Sequence, residues 1–171
     1  MKRGARKDIA FFAVIIAVIA AVILNNDIKT PEQYYAEQEQ RTESGIGSVT
    51  LTVQCTEVVN ERGYGSDLPA DGIFFQDESF VLTEGESVFG VIKQALDSKR
   101  LTFDYNILPG GGAVYINGIA GLYEFDFGPE SGWYYTVNGT APDINCGAFI
   151  PSPGDEIELC YINHYYGGRG Q

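Results

Sequence analysis

Six aromatic residues fall in two short runs that alternate as strands do. Tyr123, Phe125 and Phe127 are expected on one face of Leu122–Phe127. Trp133 and Tyr135 are expected on one face of Gly132–Val137, with Tyr134 on the other. A sheet covered by a single helix buries one face, so aromatics on both faces of a strand leave some rings in solvent. Exposed Tyr and Trp pair a broad apolar ring with a polar tip, which suits a flat ligand or a protein partner. Tyr115, Tyr123, Trp133, Tyr134 and Tyr135 therefore form the candidate ligand-binding set. Ordinary core packing is the competing explanation for the same residues.

Other chemistry finds fewer reagents. Ser131 lies in Gly128-Pro129-Glu130-Ser131-Gly132, which lacks the G-x-S-x-G elbow of a serine nucleophile. The single histidine, His164, sits in a Gly-rich tail. Glu124 and Asp126 alternate with aromatics and are expected to face solvent, as are Asp155, Glu156 and Glu158. Gly110-Gly111-Gly112 is not followed by Lys-Ser/Thr and makes no phosphate loop. No catalytic residue is assigned, and the expectation is a protein that is not an enzyme. The three cysteines, Cys55, Cys146 and Cys160, form no C-x-x-C, so no metal site is expected. In an oxidising compartment two of them would pair.

The elements that must position the aromatics are mostly strands. Val49, Leu51, Val53 and Cys55 alternate with Thr50, Thr52 and Gln54, a half-buried strand over Ser48–Cys55. A loop over Glu57–Asp71 leads to a second extended stretch, Ile73–Leu82. Val88, Val91, Ile92, Ala95 and Leu96 make one helical stripe, with Ser87 as N-cap and Gly90 costing about 1 kcal/mol inside it. Strands are expected at Leu101–Leu108, Ala113–Ile116, Leu122–Phe127, Gly132–Val137 and Ile157–Ile162. Asn138-Gly139 is the favoured pair for a tight hairpin turn, which explains it better than the glycosylation sequon it begins. One helix against five or more strands is an α+β plan.

The N-terminus sets the compartment. Ile9–Leu24 is sixteen residues without a polar side chain. As a helix it spans roughly 24 Å at about 1.5 Å per residue, close to the ~30 Å hydrocarbon core. Lys2, Arg3, Arg6 and Lys7 precede it, which keeps the N-terminus cytoplasmic and exports the rest. The run ends in Asn25-Asn26-Asp27, a poor cleavage site, so an uncleaved anchor is favoured over a signal peptide. The expected organisation is a basic stub (1–8), a transmembrane helix (9–25), a polar stalk (26–47), a domain (48–163) and a flexible tail (164–171). Pro31–Arg41 of the stalk could form an exposed helix. Beyond residue 24 there are 7 Lys+Arg against 22 Asp+Glu, a net of −15 that repels phosphate backbones and sets nucleic acid aside.

Four segments resemble the bacterial DUF4430 family, the transcobalamin-like C-terminal domain. They are Glu84–Leu96, Ala113–Gly128, Ser131–Gly139 and Pro153–Leu159, in matching order and spacing. The resemblance covers Ser48 to Ile162. It implies a β-grasp-like mixed sheet packed on one helix, in a surface-exposed bacterial setting. In animal cobalamin carriers a similar domain covers one face of a corrinoid. Similar sequences carry cysteines near Phe127 and Asn163, which this chain lacks. Cys55 and Cys146 match family cysteines, so the resemblance implies a disulfide between them. A Cys55–Cys160 bridge and three free thiols remain the alternatives. The expected function is a cell-membrane, single-pass, extracytoplasmic binding module for a corrinoid-like or other flat small ligand, with no obligatory cofactor. The alternative is a cell-surface protein–protein or adhesion module.

Overall fold

Thr30 starts the described chain with a reciprocal cap. Its Oγ1 accepts the Gln33 N–H at 3.3 Å, and Gln33 Oε1 accepts the Thr30 N–H at 2.9 Å. This capping box opens helix α1 (Pro31–Ser44), which buries none of its residues. The exposed helix expected over Pro31–Arg41 is therefore present, and it runs on to Ser44. The computed structural model describes residues 30–65, 68–109 and 112–163. The expected membrane span and the tail lie outside them. Among the described residues no helix is long and apolar enough to cross a membrane. The chain divides into two compact units, 1–40 and 41–171.

The second unit is mixed α+β. Strand β1 (Gly45–Gln54) opens ahead of Ser48, because Gly45 and Gly47 pair with Thr83 and Leu82. Its expected inner face holds: Val49, Leu51, Val53 and Cys55 are all buried. Strand β2 (Ile73–Thr83) returns antiparallel. Helix α2 (Val88–Ser98) buries the five residues of the predicted stripe. Ser87 caps it, its side chain accepting the Gly90 N–H at 3.2 Å. The helical cost of Gly90 has a reason: a Cβ there would stand 2.9 Å from Glu86 Cγ. Glu86 accepts hydrogen bonds from the Thr83 N–H and hydroxyl and from Arg41 at 2.8 Å, so it is buried with partners.

Beyond α2 come β3 (Phe103–Ile107), β4 (Val114–Ile119), β5 (Leu122–Tyr123), β6 (Gly132–Val137) and β7 (Glu156–Ile162). They form two sheets. One is four-stranded, in the order β2-β1-β7-β6, with β1 and β7 parallel and the other pairs antiparallel. The other is three-stranded and antiparallel, in the order β3-β4-β5. The helix stripe and the buried residues of both sheets make one core cluster.

Two expected elements are corrected. The strand over Leu122–Phe127 stops at Tyr123. Asp126 folds back, its carboxylate accepting the Tyr123 N–H at 2.8 Å, and Phe125 takes a left-handed φ of 69°. Phe125 and Phe127 therefore do not extend a strand face begun by Tyr123. The Asn138-Gly139 turn forms, with φ of 51° and 74°, but Thr140 makes only an isolated bridge to Val137. No returning strand follows among the described residues. The chain instead runs through a loop, 141–155, to β7.

Candidate functional site

Strand β6 is the edge of the larger sheet, and it runs beside β4 of the smaller one without pairing to it. The Asn138 N–H donates to the Glu156 carbonyl and the Val137 N–H to the Thr140 carbonyl. In an antiparallel pair such bonds alternate. The even-numbered residues of β6 thus bond to β7, and Trp133 and Tyr135 turn their N–H and C=O groups toward β4. A cleft of about 210 Å³ lies between the two strands. It is lined by Val114, Tyr115 and Ile116 on one side and Trp133, Tyr134 and Tyr135 on the other, with Pro142 and Asn145 from the loop. Four of the five candidate aromatics meet there. Tyr123 does not: it lies across Gly118 of β4 and hydrogen-bonds Asp104 on β3.

Each ring is held. The Trp133 indole N–H donates to the Leu122 carbonyl at 3.0 Å, and the ring stands edge-on to Tyr161 at 5.4 Å. The Tyr135 hydroxyl donates to the Ile144 carbonyl at 2.5 Å, and its ring packs against Phe149. Tyr115 is about half exposed and hydrogen-bonds Glu124. That carboxylate, with burial, raises the Tyr115 phenol to about 12, and burial raises Tyr135 to about 12.

Asn145 and Tyr161 carry the frame and were not singled out by sequence. The Asn145 carboxamide mimics a strand: Oδ1 accepts the Val114 N–H at 2.7 Å, and Nδ2 donates to the Val114 carbonyl at 2.8 Å. Oδ1 also accepts the Gly147 N–H at 2.9 Å. The loop is tied to α2 as well, since Phe149 and Cys146 carbonyls accept the Val88 and Phe89 N–H groups. Gly147 is required, because a Cβ there would fall 2.2 Å from the Gly112 carbonyl oxygen. Tyr161 is fully buried, and its hydroxyl reaches the Tyr123 carbonyl at 2.7 Å and Ser131 Oγ at 3.0 Å. Ser131 is itself buried and donates to the Gly128 carbonyl, a structural role. Only the aromatic part of this assembly carries a periodic signal.

The expected Cys55–Cys146 disulfide is not formed; all three cysteines are free thiols. Cys55 ends β1 beside the Tyr64 hydroxyl, whereas Cys146 packs beneath the Val114 carbonyl, so different neighbours surround each sulfur. Among the described residues no cluster of His, Cys, Asp or Glu could hold a metal. Burial pushes the Cys55 thiol above its ordinary 9.0. It raises Cys146 to about 11 and Cys160 to about 12. The folded state therefore keeps protons that the unfolded chain releases first. Stability is full below about pH 9 and falls as the pH rises toward 12. Urea midpoints should be level from about pH 7 to 8.5 and decline by about pH 10.5. A level midpoint through pH 10.5 would contradict the buried, protonated thiols and phenols.

Residues 85–163 match the model of the family described as "Domain of unknown function (DUF4430)", the family that the sequence resembles. The solved structure of haptocorrin in complex with Cbi aligns with a TM-score of 0.50 at 18% identity, over 69% of this chain and 25% of that one. The chain thus spans a quarter of the haptocorrin chain, and at that identity the likeness is one of fold. A solved protein of Ruminococcus gnavus ATCC 29149 aligns at 18% identity over 70% of this chain and 99% of its own, with a TM-score of 0.43. A comparison with curated proteins finds no match.

Proposed function

We propose that this chain, with its DUF4430 match at residues 85–163, is a membrane-tethered extracytoplasmic binding module for a corrinoid-like or other flat ligand. The observation that carries the reading is the convergence of Tyr115, Trp133, Tyr134 and Tyr135 on one cleft between β4 and β6. Two features of the cleft suit a ring with polar substituents. Its walls present aromatic side chains, and its edges present main-chain donors and acceptors from Trp133 and Tyr135. At about 210 Å³ it is smaller than the ~300–1,000 Å³ that encloses a drug-sized ligand. It therefore grips the edge of a ligand and leaves the remainder outside. The basic residues before Ile9–Leu24 support delivery of this cleft to the outer side of a membrane. The haptocorrin likeness adds the fold, and the aromatic edge adds the binding surface.

Equilibrium dialysis of the full chain in detergent micelles against cobalamin tests the reading. Retention at about one ligand per chain is expected. Trp133→Ala should weaken it by roughly tenfold or more, the value of a lost aromatic contact. Tyr123→Ala, outside the cleft, should leave it nearly unchanged. No retention at high micromolar cobalamin, together with a protein neighbour trapped by cross-linking on intact cells, would favour the adhesion reading instead.

A further inference from the structure

A second cavity, of about 300 Å³, shares no lining residue with the aromatic cleft. Described residues of the loop after β1 and of the segment around β5 line it. Its lining contains one cation, Arg62, and one carboxylate, Asp126. Basic residues are scarce in this acidic chain, and the ion pairs found among the described residues engage Arg41, Lys93 and Lys99. Arg62 has no acidic partner among the described residues. One oxygen of Asp126 is fixed by the Tyr123 N–H, and the other is unengaged among the described residues. Arg62 and Asp126 thus share one cavity without pairing to each other.

The remaining walls are apolar or bare. Leu68, Leu122 and Phe127 contribute side chains. Gly63 and Gly121 adopt φ of 99° and 82°, and a Cβ on either would meet nothing within 4 Å. These left-handed glycines bend the chain around open space. The volume lies at the low end of the ~300–1,000 Å³ found for small-molecule sites.

From this arrangement we infer a second ligand site, for a small zwitterion of the free amino acid class. The guanidinium of Arg62 takes the carboxylate, in the fork geometry that suits that group. Asp126 takes the ammonium, and an apolar side chain rests on Leu68, Leu122 and Phe127. Net neutrality of the ligand matters. A lone carboxylate would enter against the field of a body carrying a net of −15, with one guanidinium to offset it.

Titration calorimetry on the full chain in detergent micelles tests the site with L-leucine as probe. 4-Methylpentanoate supplies the carboxylate alone and isopentylamine the ammonium alone. Leucine should bind saturably, and each single-charge analogue should bind at least about tenfold more weakly. Arg62→Gln should lower leucine affinity by a similar factor. Asp126→Asn should do the same while keeping an oxygen for the Tyr123 N–H, and an unshifted melting curve would show that both variants fold. The proposal is overturned if leucine gives no saturable heat, if 4-methylpentanoate binds as well as leucine, or if a folded Arg62→Gln binds leucine unchanged. Cobalamin retention is read separately, so either site can fail alone.

Discussion

Replacing Asn145 by alanine should lower the thermal midpoint by roughly 10 °C or more and open the aromatic cleft. The carboxamide satisfies three main-chain groups: the Val114 N–H, the Val114 carbonyl and the Gly147 N–H. Alanine leaves all three without that partner. A buried unsatisfied polar group costs about 1–3 kcal/mol, and water can reach part of this loop, so a total near 3 kcal/mol is expected. At about 4 °C per kcal/mol for a domain of this size, that gives the stated shift. The loop that supplies Pro142 to the cleft should detach from β4, and faster amide exchange at Val114 and Gly147 would report it. A midpoint within about 2 °C of the unmodified chain would show that the carboxamide does not hold the loop.

Tyr161→Ala should be more damaging. The ring is fully buried between Trp133 and Phe127, with centroids 5.4 and 6.1 Å away. Truncating a large buried aromatic costs about 3–5 kcal/mol, because the transfer free energy is lost and a cavity remains. Here the Tyr123 carbonyl and Ser131 Oγ also lose the hydroxyl. Tyr161→Phe separates the two effects: it keeps the packing and should cost about 1–2 kcal/mol for the hydroxyl alone. Urea unfolding of both variants measures this. Equal losses for alanine and phenylalanine would place the whole effect in the hydrogen bonds and remove Tyr161 as the support of Trp133.

Local pattern made part of the fold legible. Val49, Leu51, Val53 and Cys55 alternate, and Val88 through Leu96 recur at helical spacing, because each set faces one core. The same rule misled at Tyr123–Phe127. Those residues alternate in type, yet the Asp126 carboxylate captures the Tyr123 N–H and turns the chain before a strand can extend. Pattern reports which residues want burial, and a single side chain-to-main chain bond can still redirect the backbone. Asn138-Gly139 makes the turn its residue types favour, but the loop beyond it is directed by Asn145, a lone polar residue with no periodic signature. The cleft was legible as a set of aromatics and not as a place. Its shape depends on two strand edges, β4 and β6, that meet without pairing. The disulfide implied by the family resemblance failed for a similar reason: Cys55 and Cys146 belong to different surroundings that their positions in the chain do not reveal.

Trp133 is the single tryptophan of the chain and lines the cleft, so its excited-state lifetime reports on that place alone. Lifetime measurement during titration of the full chain with cobalamin is unaffected by the absorbance of the ligand. A saturable shortening, preserved in Tyr123→Ala, is the result expected of a ligand seated between β4 and β6. A lifetime that stays constant to high micromolar cobalamin would contradict it.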